Sequence, residues 1–269
     1  MTHSSDQPGP QSAEFEPATR KHTISFLRLA TLCIPVVLLL AARLADVTPI
    51  PALRHAWNDT LIQIFKSSSP PENPVLIVAI DDASLADVGR WPWDRGTLAD
   101  LVTAAADLNP SLVGINLLLA ESQIDDGAGD DQLAEALSAV DTVLGSEIVS
   151  TGGNNAVQSV LSPFPLLRQR AAGEGFLSAF PDFDGRLRGQ PAALSVDGRL
   201  VPSFAAEIIR EFNRISTLEV EPGVFGTPAK LALANERLYL DWQGRLLPDF
   251  GALAVADQIS AIDLLNGNV

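Results

Sequence analysis

What this chain lacks narrows its function before anything it contains. Cysteine occurs once, at Cys33 inside the most apolar stretch, so no intrachain disulfide forms and thiol-ligated metal sites are excluded. The three histidines, His3, His22 and His55, all lie in the first quarter of the chain, which leaves everything after them without an imidazole base or ligand. Basic residues number 18 against 33 acidic ones, a formal charge of −15, and no basic face is evident, so nucleic acid is not a partner. No Gly-x-Ser-x-Gly, P-loop or dinucleotide fingerprint occurs, and no frame through the acidic loop at 124–131 supplies EF-hand ligands. No metal and no cofactor is expected, and no catalytic turnover.

A content of 46% hydrophobic residues over 269 positions suffices for one core plus a membrane anchor. The run FLRLATLCIPVVLLLAA at 26–42 carries one charge, Arg28, and predicts a transmembrane helix over 23–47. Its rival is a cleaved signal peptide, although no clean small-x-small site follows. Arg20, Lys21 and Arg28 gather on the amino side and favour a cytoplasmic N-terminus, with Arg43 and Arg54 weakening the asymmetry; the rest then faces the periplasm or exterior. Residues 1–22 are too polar to fold and read as a disordered cytoplasmic tail. Over 48–73, Leu53, Trp57, Leu61 and Ile64 recur at helical spacing, a connecting amphipathic helix closed by the linker Ser67–Pro71.

From residue 74 to the end the pattern is α/β: a parallel-rich mixed sheet flanked by helices. Val75–Ile80 is branched and aliphatic without alternation, the signature of a strand covered on both faces. Leu98, Leu101, Val102 and Ala105 predict a helix capped by Asp94 and stopped at Asn109-Pro110, and a strand over 112–119 follows. That order predicts a right-handed crossover between parallel strands. Leu133, Ala136, Leu137 and Val140 repeat the unit behind an Asp130 or Asp131 cap, leading to a strand at 142–149. Ser203 caps a helix with Ala205, Ile208, Ile209 and Phe212 on one face; Arg237–Trp242 reads as a strand, and Ser260 to Asp263 has capping-box spacing.

The polar residues concentrate in Ile80-Asp-Asp-Ala-Ser-Leu-Ala-Asp-Val-Gly-Arg-Trp-Pro-Trp-Asp-Arg95, with Gly89–Trp93 its most specific part. Two more blocks follow, Gly114–Glu121 with Asp130-Asp131, and Phe183–Arg188 leading to Val201–Ala205. This order resembles the second type of CHASE domain, the cyclase- and histidine-kinase-associated sensory extracellular modules of bacterial receptors, over roughly 74–269. The resemblance implies a ligand-responsive domain passing a signal to a cyclase or kinase output module, which is not present here, so the domain reads as truncated at its C-terminal end. It implies an unidentified small-molecule or protein stimulus, and leaves a homodimer open.

Six residues are candidates for ligand binding. Asp81 and Ser84 leave the first strand's carboxyl end, where open α/β sheets bind ligands, although such side chains also serve as caps. Arg95 stands beside Trp91 and Trp93, which form either a platform, with Pro92 holding the indoles to different sides, or a plug at the sheet's end. The resemblance implies an Asp, usual in that family, at the position of Asn116, and Glu121 follows the second strand. Arg186 shares a strand face with Arg188 in a charged turn, the alternative being a solvated hairpin at Asp184-Gly185. Asp81 with Arg186 is the expected sensing pair. Two other classes remain open: a membrane-anchored hydrolase pairing Asp81 with Glu121, and a non-catalytic envelope scaffold.

Overall fold

The computed structural model describes residues 31, 33–38, 40–41, 75–123, 127–150, 157–182, 184–221, 223, 229–233, 236–241, 244–248 and 257–269. The chain divides into two compact units, Met1–Ser68 and Ser69–Val269. In the first, residues 33–38 are helical, with Ile34, Val36, Val37 and Leu38 exposed, and Leu40 beyond them exposed as well. Among the described residues no helix is long and apolar enough to cross a membrane. The 1–22 tail, the 48–73 connector and most of the 23–47 segment lie outside the described residues.

In chain order the second unit begins β1 (Leu76–Ala79), α1 (Asp82–Asp87), α2 (Arg95–Asp107), β2 (Val113–Leu118), α3 (Gly127–Leu137), β3 (Thr142–Ser150), β4 (Val157–Leu161), α4 (Pro165–Arg168) and β5 (Gly173–Phe176). It continues with β6 (Gln190–Pro191), β7 (Ala193–Val196), β8 (Arg199–Pro202), α5 (Phe204–Phe212), β9 (Glu219–Glu221), β10 (Lys230–Leu233), β11 (Glu236–Tyr239), β12 (Arg245–Leu246), β13 (Asp257–Ser260) and α6 (Ala261–Leu265).

Strand β3 is the centre. Parallel strands β2 and β5 flank its first half and antiparallel β4 its second, and Thr142 through Ser146 are buried without a break. Leu144 joins Leu98 and Val102 of α2, Leu133 and Leu137 of α3, and Leu167 of α4 in the main core. Each such side chain contributes about 1.5–3 kcal/mol by leaving water. Among the described residues the β6–β12, β7–β8 and β9–β10–β11 pairings are separate antiparallel sheets, β1–β13 is a parallel pair, and the sheet around β3 mixes both directions.

Several sequence expectations need correction. Strand β1 pairs in parallel with β13, not with β2, so the first strand–helix–strand passage does not join hydrogen-bonded neighbours. Nor is it covered on both faces, since Val75, Leu76 and Ile77 are exposed; β3 is the strand with that property. Helix α3 begins at Gly127, ahead of Asp130, and Val140 lies beyond its end. Ala206 and Glu207, rather than the Ala205/Phe212 face, are the most buried part of α5, and Phe212 is exposed. The cause lies in β5: a Cβ at Gly175 would stand 2.6 Å from Phe204 Cα, and one at Gly173 2.4 Å from Glu207 Oε1. Gly175 admits the backbone at the start of the helix and Gly173 leaves room for the Glu207 side chain, which lies inside and is neutralised by Arg210 at 2.7 Å. Asp94 and Ser203 do cap α2 and α5 as their positions suggest.

Candidate functional site

Strands β1 and β13 run side by side and end together, so the turns that follow them meet. Asp81, in extended conformation after β1, caps α1: its Oδ1 accepts the backbone N–H of Ser84 at 3.0 Å and the Ser84 hydroxyl at 2.8 Å. The same oxygen accepts the hydroxyl of Ser260, the last residue of β13, also at 2.8 Å. Ser84 is fully buried, and its Oγ lies 2.9 Å from Ser260 Oγ and accepts the N–H of Ile262 at 3.1 Å. Each hydroxyl has one proton, and a carboxylate is the stronger acceptor, so both serines donate to Asp81. The Ser84 N–H, then the two hydroxyls, hold the Asp81 carboxyl below its ordinary range against the opposing effect of burial. Ser260 therefore does not form the predicted box with Asp263; its side chain makes no cap bond to its own helix.

Arg95 belongs to a second group. Its Nε donates to the buried Asp130 at 3.2 Å and its Nη2 to the carbonyl of Glu121 at 2.9 Å, while Asp130 also accepts the N–H of Gln123 at 2.9 Å. Asp130 is thus engaged by Arg95 and the β2–α3 loop instead of acting as the helix cap. Glu121 and Asn116 are exposed. Among the described residues Asp81 and Glu121 share no hydrogen-bond partner.

Trp93 is 8% exposed, with its Nε1 donating to the carbonyl of Gly89 at 3.0 Å, whereas Trp91 is 38% exposed. The Trp91–Pro92 peptide is cis, and the indoles meet edge to face at 5.9 Å, so they do not diverge to different sides. One plugs the core and the other lies over it at the surface.

The turn at 182–186 closes through Asp182 N to Arg186 O at 2.8 Å, with Gly185 at φ +77°. A matching turn at 241–245 closes through Asp241 N to Arg245 O at 2.8 Å, with Gly244 at φ +76°. Arg245 bridges the two, reaching Asp182 at 2.6 Å and Asp241 at 2.8 Å; Arg188 reaches Asp182 at 3.0 Å and Asp184 at 2.8 Å. Residues 186–189 are not strand, so Arg186 and Arg188 do not share a strand face: Arg186 is exposed and Arg188 largely buried. Hydrogen bonds from Arg188, against burial, hold the Asp184 carboxyl far below the usual range. Burial works against the charge of Arg245, but Asp182 and Asp241 outweigh it and raise its pKa.

Five of the six candidates are therefore dispersed over three groups. Asp81 and Ser84 meet, Arg95 reaches the Glu121 backbone, and Arg186 belongs to the twin turns. Reading the sequence alone missed Arg245; it gave Ser260 and Asp130 only as helix caps, and placed Arg188 beside Arg186 rather than between Asp182 and Asp184. Arg245 had a visible signal: Asp241-Trp-Gln-Gly-Arg245 repeats the Asp-aromatic-x-Gly-Arg pattern of Asp182-Phe-Asp-Gly-Arg186. Among the described residues no group of three or more His, Cys, Asp or Glu is arranged to hold a metal ion.

Helices packed on a mixed sheet, with polar side chains capping the turns at the strand ends, define an α/β domain. The CHASE2 domain family matches residues 32–269, and the chain belongs to that family. No curated protein and no solved structure matches it.

Proposed function

We propose that this chain is the ligand-responsive, extracytoplasmic part of a bacterial membrane signalling protein, held by a single helix over 23–47 with its N-terminus in the cytoplasm, and that it binds and responds without catalytic turnover. The observation that carries the reading is the match to a sensory family over nearly the whole chain. The apolar run with Arg20 and Lys21 before it, and the exposed Ile34, Val36 and Val37 on the helical residues 33–38, support the anchor. A small-molecule or protein stimulus acts by preferring one of two arrangements, since only differential affinity moves such an equilibrium. We assign the response to the Asp81–Ser84 end of β1, where the first and last strands meet; Arg95, Asn116, Glu121 and Arg186 are the remaining candidates. Homodimerisation and a cyclase or kinase output belong to the same proposal.

Topology is the test. A reporter enzyme active only in the periplasm, fused after Val269, is expected to give activity, and one active only in the cytoplasm none. The opposite pattern at that junction overturns the orientation and the sensory reading with it.

A further inference from the structure

The junction of α1 and α6 is cross-capped. Helix α6 has five residues, too few to persist alone. One of its unsatisfied first-turn donors, Ile262 N–H, is taken by Ser84, 178 positions earlier in the chain. Its own cap residue, Ser260, reaches 179 positions back to Asp81. Asp81 meanwhile caps α1. The last helix of the domain thus obtains its cap from the first, and its cap residue serves the first in return.

We propose that Asp81, Ser84 and Ser260 form a latch by which β1–α1 holds β13–α6 as a separable piece. When the latch opens, β13 and α6 leave together while the sheet centred on β3 stays folded. The attachments of the piece are few. Among the described residues β13 pairs with β1 alone, over four residues, of which Asp257 and Gln258 are exposed. Its deep apolar contacts are Ala261 at 0% and Leu264 at 4% exposure. Strand β3, in contrast, has strand partners β2, β4 and β5 and five consecutive buried residues. Segments with few buried contacts open at lower free energy than the core, and open as units. The fully buried Ser84 hydroxyl is the pivot, because it serves both helices at once. The latch thus sits where β1–α1 and β13–α6 join, and its state fixes their spacing.

Hydrogen exchange of the full-length chain in detergent, followed by mass spectrometry, tests this. In the wild type, 257–265 is expected to exchange faster than 142–150. Ser84→Ala is expected to speed exchange at 257–265 by roughly five- to tenfold, the loss of one or two hydrogen bonds, with 142–150 unchanged. Ser260→Ala tests the same point at a less buried site should Ser84→Ala fail to fold, and Ser260→Thr, which keeps the hydroxyl, is expected to stay near the wild type. Unchanged exchange at 257–265 in both alanine variants, or equal acceleration at 142–150, overturns the latch. The readout needs no stimulus, so its failure is separate from failure of the sensory reading.

Discussion

Around Asp81 a single carboxylate oxygen collects three short donors from two serines, whereas around Asp182 a nearly buried carboxylate lies between two guanidiniums that each hold a second acid. Both networks tie parts of the chain that are distant in sequence. They differ in what is left behind when one member goes. A serine deleted from the first network leaves a carboxylate with other donors, and the loss is local. Asp182 deleted from the second leaves Arg188 and Arg245, at 13% and 11% side-chain exposure, without their shared counter-charge. Burying a charge is costly unless it is paired, so the ionic network tolerates deletion least.

The sharpest way to break that contrast is therefore Asp182→Ala. It is expected to cost about 3–5 kcal/mol, the range for orphaning a buried ionic partner, read as a lower urea midpoint with unchanged slope. A loss under about 1 kcal/mol would mean that Asp184 and Asp241 suffice for both arginines, and the two networks would no longer differ in kind.

Next in size is a test of whether packing or hydrogen bonding governs the Asp81 side. Helix α1 is held at its start by Asp81, and Gly89, the residue after its C-cap Val88, accepts from the Trp93 indole. Trp93→Ala empties a buried site and is expected to cost about 3–5 kcal/mol. Trp91→Ala removes a half-exposed ring whose main internal contact is the edge-to-face pair, with about 0.5–1.5 kcal/mol expected. Equal losses in thermal melts of the two variants would show that both rings are structural plugs.

Much of this architecture was legible because it is local. Asp94 and Ser203 cap helices whose first turns lie next to them, and the run 142–149 was readable as a strand, though not as the central one, since Gly145, Ser146 and Glu147 interrupt its aliphatic residues. The partner of β1 was not legible, because aliphatic composition states that a strand is apolar but not which strand lies beside it, and β13 is 181 positions away by the Leu76–Asp257 register. Composition also overstated the burial of β1, whose Leu76 is 42% exposed. The same limit applies to the sites. Asp81 was visible as a cap or a ligand, yet Ser260, which decides how its carboxylate is used, had only a short-range reading as the start of a capping box. Glu207 on the sheet side of α5 runs against its apolar pattern, and only the glycines of β5 explain why it is there.

Acid titration gives the smallest expected effect and separates the two networks by sign and order. Asp81 and Asp184 both have folded pKa values lowered from the ordinary carboxylate value of about 3.9, so each binds fewer protons folded than unfolded near that pH. A group of this kind stabilises fully above the unfolded value and loses its contribution as pH falls through the folded one. Neither network then changes between pH 5 and 8, and the second unit has no histidine to add a transition there. Its unfolding midpoint is expected to be flat across that window. Below pH 4 the order separates them: Asp81, lowered by a backbone N–H and neutral hydroxyls, is expected to protonate before Asp184, which Arg188 holds with charged donors at 2.8 and 2.9 Å. Carboxyl carbon shifts followed by NMR through the acid range measure both. Titration of Asp81 at the ordinary aspartate value in the folded chain would show that Ser84 and Ser260 do not donate to it, and would remove the hydroxyl side of the comparison while leaving the ionic side intact.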